Sequence, residues 1–110
     1  MKQNAITRSA RGKACTMKLD GCQGNEYVVF CHKNGAGVGN KMTDDLGRDI
    51  GFYGCANCHQ IYDSLVHPYY KPHFIKEMAE FAMTRTKRQL IKQLLVDEHY
   101  PDTSLDGYGR

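Results

Sequence analysis

Five cysteines in a chain of 110 residues are the feature that most restricts how this sequence can fold. Cys55 and Cys58 are separated by two residues, a spacing that lets both sulfur atoms face one metal ion at the start of a helix. Cys15 and Cys22 form a wider pair, and Asp20-Gly21 predicts a tight turn inside it. Four thiolates in a tetrahedral arrangement predict a structural zinc site. Such a site would stabilise a chain too short to build a large apolar core.

Other interpretations of the cysteines stay open. They could be small buried side chains, or Cys55 and Cys58 could form a redox pair like that of thioredoxin. The run that ends Cys58-His59 also matches the attachment site of c-type haem. Haem attachment requires export, and the sequence opens without the apolar stretch of a signal peptide, which favours a cytoplasmic protein. Cys31 is left over from the two pairs, and we expect it to be a core thiol or a thiol near the site.

Charge is distributed unevenly along the chain. Residues 1–18 carry five basic side chains and no acidic one, and residues 71–92 carry six basic and two acidic ones. Residues 49–70 contain no Lys or Arg. Two basic segments around a centre rich in Cys and His suit a polyanion held over a site, although they could equally be two solvated faces. No apolar run approaches the roughly 20 residues that cross a bilayer, so no membrane association is expected.

The pattern of residues predicts a small α+β fold. Tyr27–Cys31 is β-branched and aromatic and predicts a strand that ends at His32, before a glycine-rich loop. Asp49–Gly54 predicts a second strand, and the following residues to about Val66 predict a helix. We expect one domain over residues 1–110, laid out in the following order: a basic arm over 1–14, a zinc-bearing core over 15–66, a long C-terminal helix over 73–97 and a flexible tail over 98–110.

Three side chains could carry chemistry. His59 and Asp63 lie four residues apart and would share one face of the helix, where they could hold a divalent ion such as Mg²⁺ or Mn²⁺. His32, at a strand end, is a candidate general base because its pKa lies near neutrality. Each also has a structural interpretation: His32 as an ordinary strand-end residue, His59 as a polar neighbour of the zinc, and Asp63 as a partner of the helix dipole.

The order of these residues along the chain resembles that of the HNH nucleases of ββα-metal fold. It resembles more closely that of the prophage-encoded putative nucleases of the YbcO type. The resemblance covers about residues 7–90. It is carried by the following residues: Arg8 to Cys15, Gly21-Cys22, Cys31-His32, Lys41, Asp44 to Leu46, Cys55 to His59, Asp63 and Arg85-Thr86. It implies a zinc-braced ββα-metal (HNH or treble-clef-like) core with an added C-terminal helix.

The resemblance also implies roles for single residues. His32 matches the general base, His59 and Asp63 match ligands of the catalytic metal, and the four paired cysteines match zinc ligands. Cys31 stands where related enzymes often have an acid or histidine ligand, and Asn40, Asp45 and Asp49 are possible matches for the asparagine of the motif.

The function implied is metal-dependent hydrolysis of phosphodiester bonds in DNA, in the cytoplasm of a bacterial host. Branched DNA and RNA remain open as substrates. The basic residues expected to hold the nucleic-acid backbone are Arg8, Arg11, Lys13, Lys41, Arg85, Lys87 and Arg88. The main alternative is a zinc-stabilised module that binds nucleic acid without cleaving it, and a protein-interaction module on a zinc scaffold is a third.

Overall fold

The structure, a computed structural model, describes residues 4–34, 43–44 and 46–100. In this part of the chain it is a small α+β protein, as predicted. Its elements in chain order are α1 (Ala5–Arg8), β1 (Val29–His32), β2 (Gly51–Gly54), α2 (Ala56–Ser64) and α3 (Pro72–Lys92). Asn40, Lys41, Asp45, most of the glycine-rich loop and residues 101–110 lie outside the described residues.

The two strands form an antiparallel sheet whose two faces are both covered. Phe30 of β1 pairs with Tyr53 of β2, and Cys31 pairs with Phe52. Because side chains alternate along a strand, Phe30 and Tyr53 face one buried cluster, which includes residues of α1 and the end of α3. Cys31 and Phe52 face the other cluster, together with α2, the first half of α3 and the paired cysteines. The sheet therefore separates two small cores.

The outer edge of β2 is closed by side chains instead of a third strand. The N–H of Lys33 donates to Ile50 O at 2.8 Å, so in this alternating ladder the N–H and C=O of Tyr53 point away from β1. The Tyr53 carbonyl accepts from Thr16 N and Thr16 Oγ1, both at 2.8 Å. The Tyr53 N–H donates to Thr86 Oγ1 of α3 at 3.1 Å. Thr16 and Thr86, which are distant in sequence, thus satisfy the backbone N–H and C=O of Tyr53 at the buried edge of β2.

Helix α2 begins at the CxxC pair. Cys55 is its N-cap residue, and the Cys55 side chain accepts from Cys58 N at 3.5 Å. The helix ends at Leu65, which takes a left-handed conformation at φ 57°. This start and end agree with the predicted helix to within two residues and place His59 in the first turn.

Helix α3 ends earlier than predicted. Pro72 stands in its first turn, where the missing N–H costs nothing. The chain leaves the helix after Lys92: Leu95 N donates to Leu90 O at 3.0 Å and Leu94 N donates to Ile91 O at 2.9 Å. These two bonds form a Schellman motif with Leu94 left-handed at φ 60°. The apolar run continues through Leu94 and Leu95 to Val96 and led to a predicted end near residue 97, but Leu94 is 90% exposed and lies outside the helix.

The two ends of the described chain are also more ordered than predicted. The arm contains α1, in which Asn4 and Thr7 form a capping box and Ile6 packs into the cluster around Phe30. A helix of four residues has too little periodicity to be seen in the sequence. Residues 98–100, predicted as part of a flexible tail, include Tyr100, which is buried in the same cluster.

Candidate metal and catalytic site

Four cysteines converge as the sequence predicted. The Sγ atoms of Cys15, Cys22, Cys55 and Cys58 all lie within 4.8 Å of one another, and those of Cys22 and Cys55 are 4.0 Å apart. A tetrahedral zinc ion with Zn–S bonds of about 2.3 Å would space its sulfur atoms about 3.8 Å apart. The cluster therefore has close to the size that one zinc ion requires.

The surroundings of these sulfur atoms suit thiolates. Leu19 N donates to Cys58 Sγ and Gln23 N donates to Cys55 Sγ, both at 3.3 Å, and Gly24 N donates to Cys22 Sγ at 3.4 Å. Backbone N–H donors stabilise negative charge on sulfur. The hydrogen bond with Cys58 lowers the pKa of the Cys15 thiol, and the same contact raises the pKa of Cys58. The donor set fits a structural metal such as zinc.

Cys31 is not part of this cluster. It is fully buried in the core beside Phe52, and its Sγ atom lies 3.7 Å from the carbonyl oxygens of Val29 and Gly54. Burial raises the pKa of the Cys31 thiol. These observations agree with the expected core thiol, neutral and unreactive at physiological pH.

His59 and Asp63 lie side by side on α2. His59 Nε2 is 3.0 Å from Asp63 Oδ2, and the two side chains are 37% and 52% exposed. An imidazole and a carboxylate at a solvent-facing position are suitable ligands for a hydrated divalent ion. Among the described residues, however, no third His, Cys, Asp or Glu joins them, because the four-cysteine cluster is the one group of three or more such ligands found there.

His32 has its own partners, on the side of the sheet covered by α1. Its ring packs edge-on against Phe30, with centroids 5.4 Å apart, and its Nε2 lies 3.3 Å from Asp49 Oδ1. Asn4 Nδ2 in turn donates to Asp49 Oδ2 at 2.6 Å. The hydroxyl of Tyr100 donates to the backbone carbonyl of Asp49. The structure thus assigns a definite place to Asp49, which the sequence offered only as one possible match for a motif asparagine.

Sequence reasoning missed Asn4 and Tyr100 as parts of this site. Asn4 lies 45 residues from Asp49 and Tyr100 lies 51 residues from it. Asn4 could have been noticed as a helix N-cap, but nothing local connects either residue with His32.

The basic side chains predicted to contact nucleic acid fall into two groups. Some are exposed, and others donate hydrogen bonds to the protein's own backbone. Arg8 and Arg11 are exposed near α1, and Arg88 is exposed on α3, whereas Lys13 is half-buried. Arg85 donates from Nη1 to Thr16 O at 2.8 Å, and Lys87 donates from Nζ to Glu98 O at 3.0 Å. These last two brace neighbouring loops in addition to any contact with a substrate.

The chain is similar to known proteins of one family. The family described as "Putative nuclease YbcO" matches residues 4–94, so the chain belongs to that family. A solved structure of a putative bacteriophage protein from Escherichia coli K-12 MG1655 is 27% identical, with a TM-score of 0.59; the match covers 80% of this chain and 98% of the other. The curated proteins include no significant match. Within the described residues, no helix is long and apolar enough to cross a membrane.

Proposed function

We propose that this protein is an HNH-type endonuclease, a single domain that hydrolyses phosphodiester bonds of DNA in the bacterial cytoplasm. The observation that carries the proposal is the solvent-facing pair of His59 and Asp63, on the helix that directly follows a two-stranded hairpin. His32 ends the first strand of that hairpin. Membership of a family of putative nucleases supports a nucleic-acid substrate. The order strand, strand, helix beside four cysteines supports the proposed ββα-metal arrangement.

In this mechanism His32 takes a proton from the water that attacks phosphorus. His59 and Asp63 would hold a divalent ion, Mg²⁺ or Mn²⁺, and such an ion would supply positive charge that stabilises the transition state. The four cysteines would hold a structural zinc ion, which would fix the start of α2 and with it the position of His59. Exposed arginines such as Arg8, Arg11 and Arg88 hold the DNA backbone, so affinity falls as salt is added.

Plasmid cleavage by the purified, zinc-loaded chain tests the proposal. With Mg²⁺ or Mn²⁺ we expect nicking that His32→Ala reduces by about 10²- to 10⁴-fold, the usual contribution of a general base. His73→Ala is the matched control, because His73 is an exposed histidine on α3. Asp63→Ala should raise the concentration of divalent ion needed for half-maximal cleavage. Cleavage that survives unchanged in His32→Ala would remove His32 from the mechanism.

The same purified, zinc-loaded protein distinguishes an endonuclease from the alternative, a non-catalytic binding module. That module would retain one zinc and bind DNA in a salt-dependent way, yet cleave no substrate with any divalent ion. Branched duplexes, single strands and RNA are included in the assay because the exposed arginines do not select among them.

A further inference from the structure

A cavity of about 270 Å³ lies between the end of β1, helix α2 and the first half of α3. Its volume is just below the range of about 300–1,000 Å³ that small-molecule sites occupy. The cavity can therefore hold one group of a larger ligand. Among its lining residues are Lys33 and Asn34 directly after β1, Tyr62 and Leu65 at the end of α2, and Lys76 and Glu80 on α3.

Backbone hydrogen bonds fix the side of the cavity that β1 provides. The N–H of Lys33 donates to Ile50 O at 2.8 Å, so the ladder continues one residue past β1. Because side chains alternate along a strand, Lys33 lies on the same face of the sheet as Cys31, the face that α2 and α3 cover. The N–H of Asn34 donates to the Tyr62 hydroxyl at 3.1 Å. This bond joins the segment after β1 to α2.

Two basic side chains and one acidic side chain line the cavity. Lys76 and Glu80 are four residues apart and share one face of α3, and Lys33 lies at the end of β1. Within the described part of the chain, neither ammonium group has an ion pair or a hydrogen bond. By contrast, the charged groups of Arg85 and Lys87 are bound to backbone carbonyls. The two ammonium groups outnumber the carboxylate, so the cavity favours an anionic group.

The cavity borders the two segments that carry the proposed catalytic residues. Lys33 directly follows His32, and Tyr62 directly precedes Asp63, so the Cα atoms of each pair are about 3.8 Å apart. Phosphates along one strand of DNA follow each other at a rise of about 3.4 Å. A phosphate next to the one that is cut would therefore lie within reach of the cavity.

We infer that this cavity binds a phosphate group of the substrate strand, next to the phosphate that is cut. Lys33 and Lys76 neutralise its charge. The Tyr62 hydroxyl accepts from Asn34 N and still has its own hydrogen to donate to the phosphate. Leu65 supplies an apolar wall for the attached sugar. Neither lysine belongs to the basic residues that the sequence predicts as nucleic-acid contacts. The inference rests on the proposed function for the identity of its ligand.

Binding of a fluorescent DNA duplex tests the two lysines. Anisotropy is measured over a range of salt concentrations with the full-length, zinc-loaded protein, without Mg²⁺ or Mn²⁺ so that no strand is cut. Loss of one phosphate contact lowers the slope of log K against log[salt] by about 0.9, which is about eightfold in Kd at about 0.1 M salt. We expect both changes in Lys33→Gln/Lys76→Gln. The control is Lys18→Gln/Lys92→Gln, which removes the same charge from exposed side chains outside the cavity. A slope that falls no further in the cavity variant than in the control would overturn the inference.

Glu80→Gln tests the sign of the charge on the group that the cavity binds. Removing a carboxylate from beside a phosphate removes a repulsion, so Kd for the same duplex should fall by about two- to fivefold. Glu77→Gln, at an exposed position of the same helix outside the cavity, should change Kd less. A Kd that is unchanged or higher in Glu80→Gln would overturn the assignment to a phosphate, and a higher Kd would indicate that an amino group binds there instead.

A cleavage assay separates this inference from the proposed function. A natural protein that binds DNA with the expected dependence on Lys33 and Lys76, yet cuts no substrate, would refute the proposed function alone. A natural protein that cuts DNA, with the same kcat/KM in Lys33→Gln/Lys76→Gln as in the control variant, would refute the inference alone. One zinc per chain and an unchanged melting temperature in each variant ensure that folded proteins are compared.

Discussion

Thr86 offers the clearest test of how the fold is held together. Replacing it by Val keeps the shape of the side chain and removes the hydroxyl that accepts from Tyr53 N at 3.1 Å. Thr86 is fully buried, so no water replaces that acceptor. Leaving the Tyr53 N–H unsatisfied costs about 1–3 kcal/mol, and the 3.2 Å hydroxyl contact with Thr16 adds about 1 kcal/mol. Thr16 itself keeps its bond to Tyr53 O. We therefore expect Thr86→Val to lower the free energy of unfolding by about 2–4 kcal/mol.

Urea unfolding followed by circular dichroism, at a fixed excess of zinc, measures this change. Thr86→Ser keeps the hydroxyl and loses one methyl group, so its cost should stay near 1 kcal/mol. The reasoning is refuted if Thr86→Val costs no more than Thr86→Ser.

Three further predictions concern other parts of the molecule. Leu94→Gly should raise the free energy of unfolding by about 0.5–1 kcal/mol in the same urea assay, since glycine accepts the left-handed backbone and the lost side chain is exposed. Tyr100→Phe should cost about 1–2 kcal/mol at pH 8, by loss of the bond to Asp49. Burial raises the pKa of Tyr100 above its ordinary 10.0, so this difference should shrink as pH rises past 10; a constant difference would contradict it. Cys22→Ala should abolish binding of zinc measured by elemental analysis, whereas Cys31→Ala should retain one zinc per chain.

The parts of the fold that the sequence predicted are those encoded locally. β1 and α2 follow from a run of β-branched and aromatic residues and from the spacing of Cys55 and Cys58, so their positions were right to within two residues. The four-cysteine cluster was predictable because ligand spacing limits which sulfur atoms can meet. His59 and Asp63 meet because residues four apart share a helix face.

What the sequence could not predict depends on contacts between distant residues. The helix in the arm is too short to show a period, and it is stabilised by a capping box and by burial of Ile6 against β1. The end of α3 was misplaced because the leucine pattern continues through a left-handed turn. The partners of His32 come from residues 4 and 49, and no local pattern relates those positions.

The two hydrogen bonds to Asp49 join parts of the chain that are far apart in sequence. Asn4 and Asp49 are synthesised before Tyr100. Tyr100 follows α3 in the chain, and its hydroxyl binds the carbonyl of a residue 51 positions earlier. Asn4 and Asp49 are 45 positions apart, so the two contacts close loops of similar length and similar entropic cost. In a chain that lacks Tyr100, the Asp49 side chain would still accept from Asn4, but the Asp49 backbone carbonyl would lose its bond to Tyr100. The contact therefore joins the segment after α3 to the segment before β2, so a change at either end reaches the surroundings of His32.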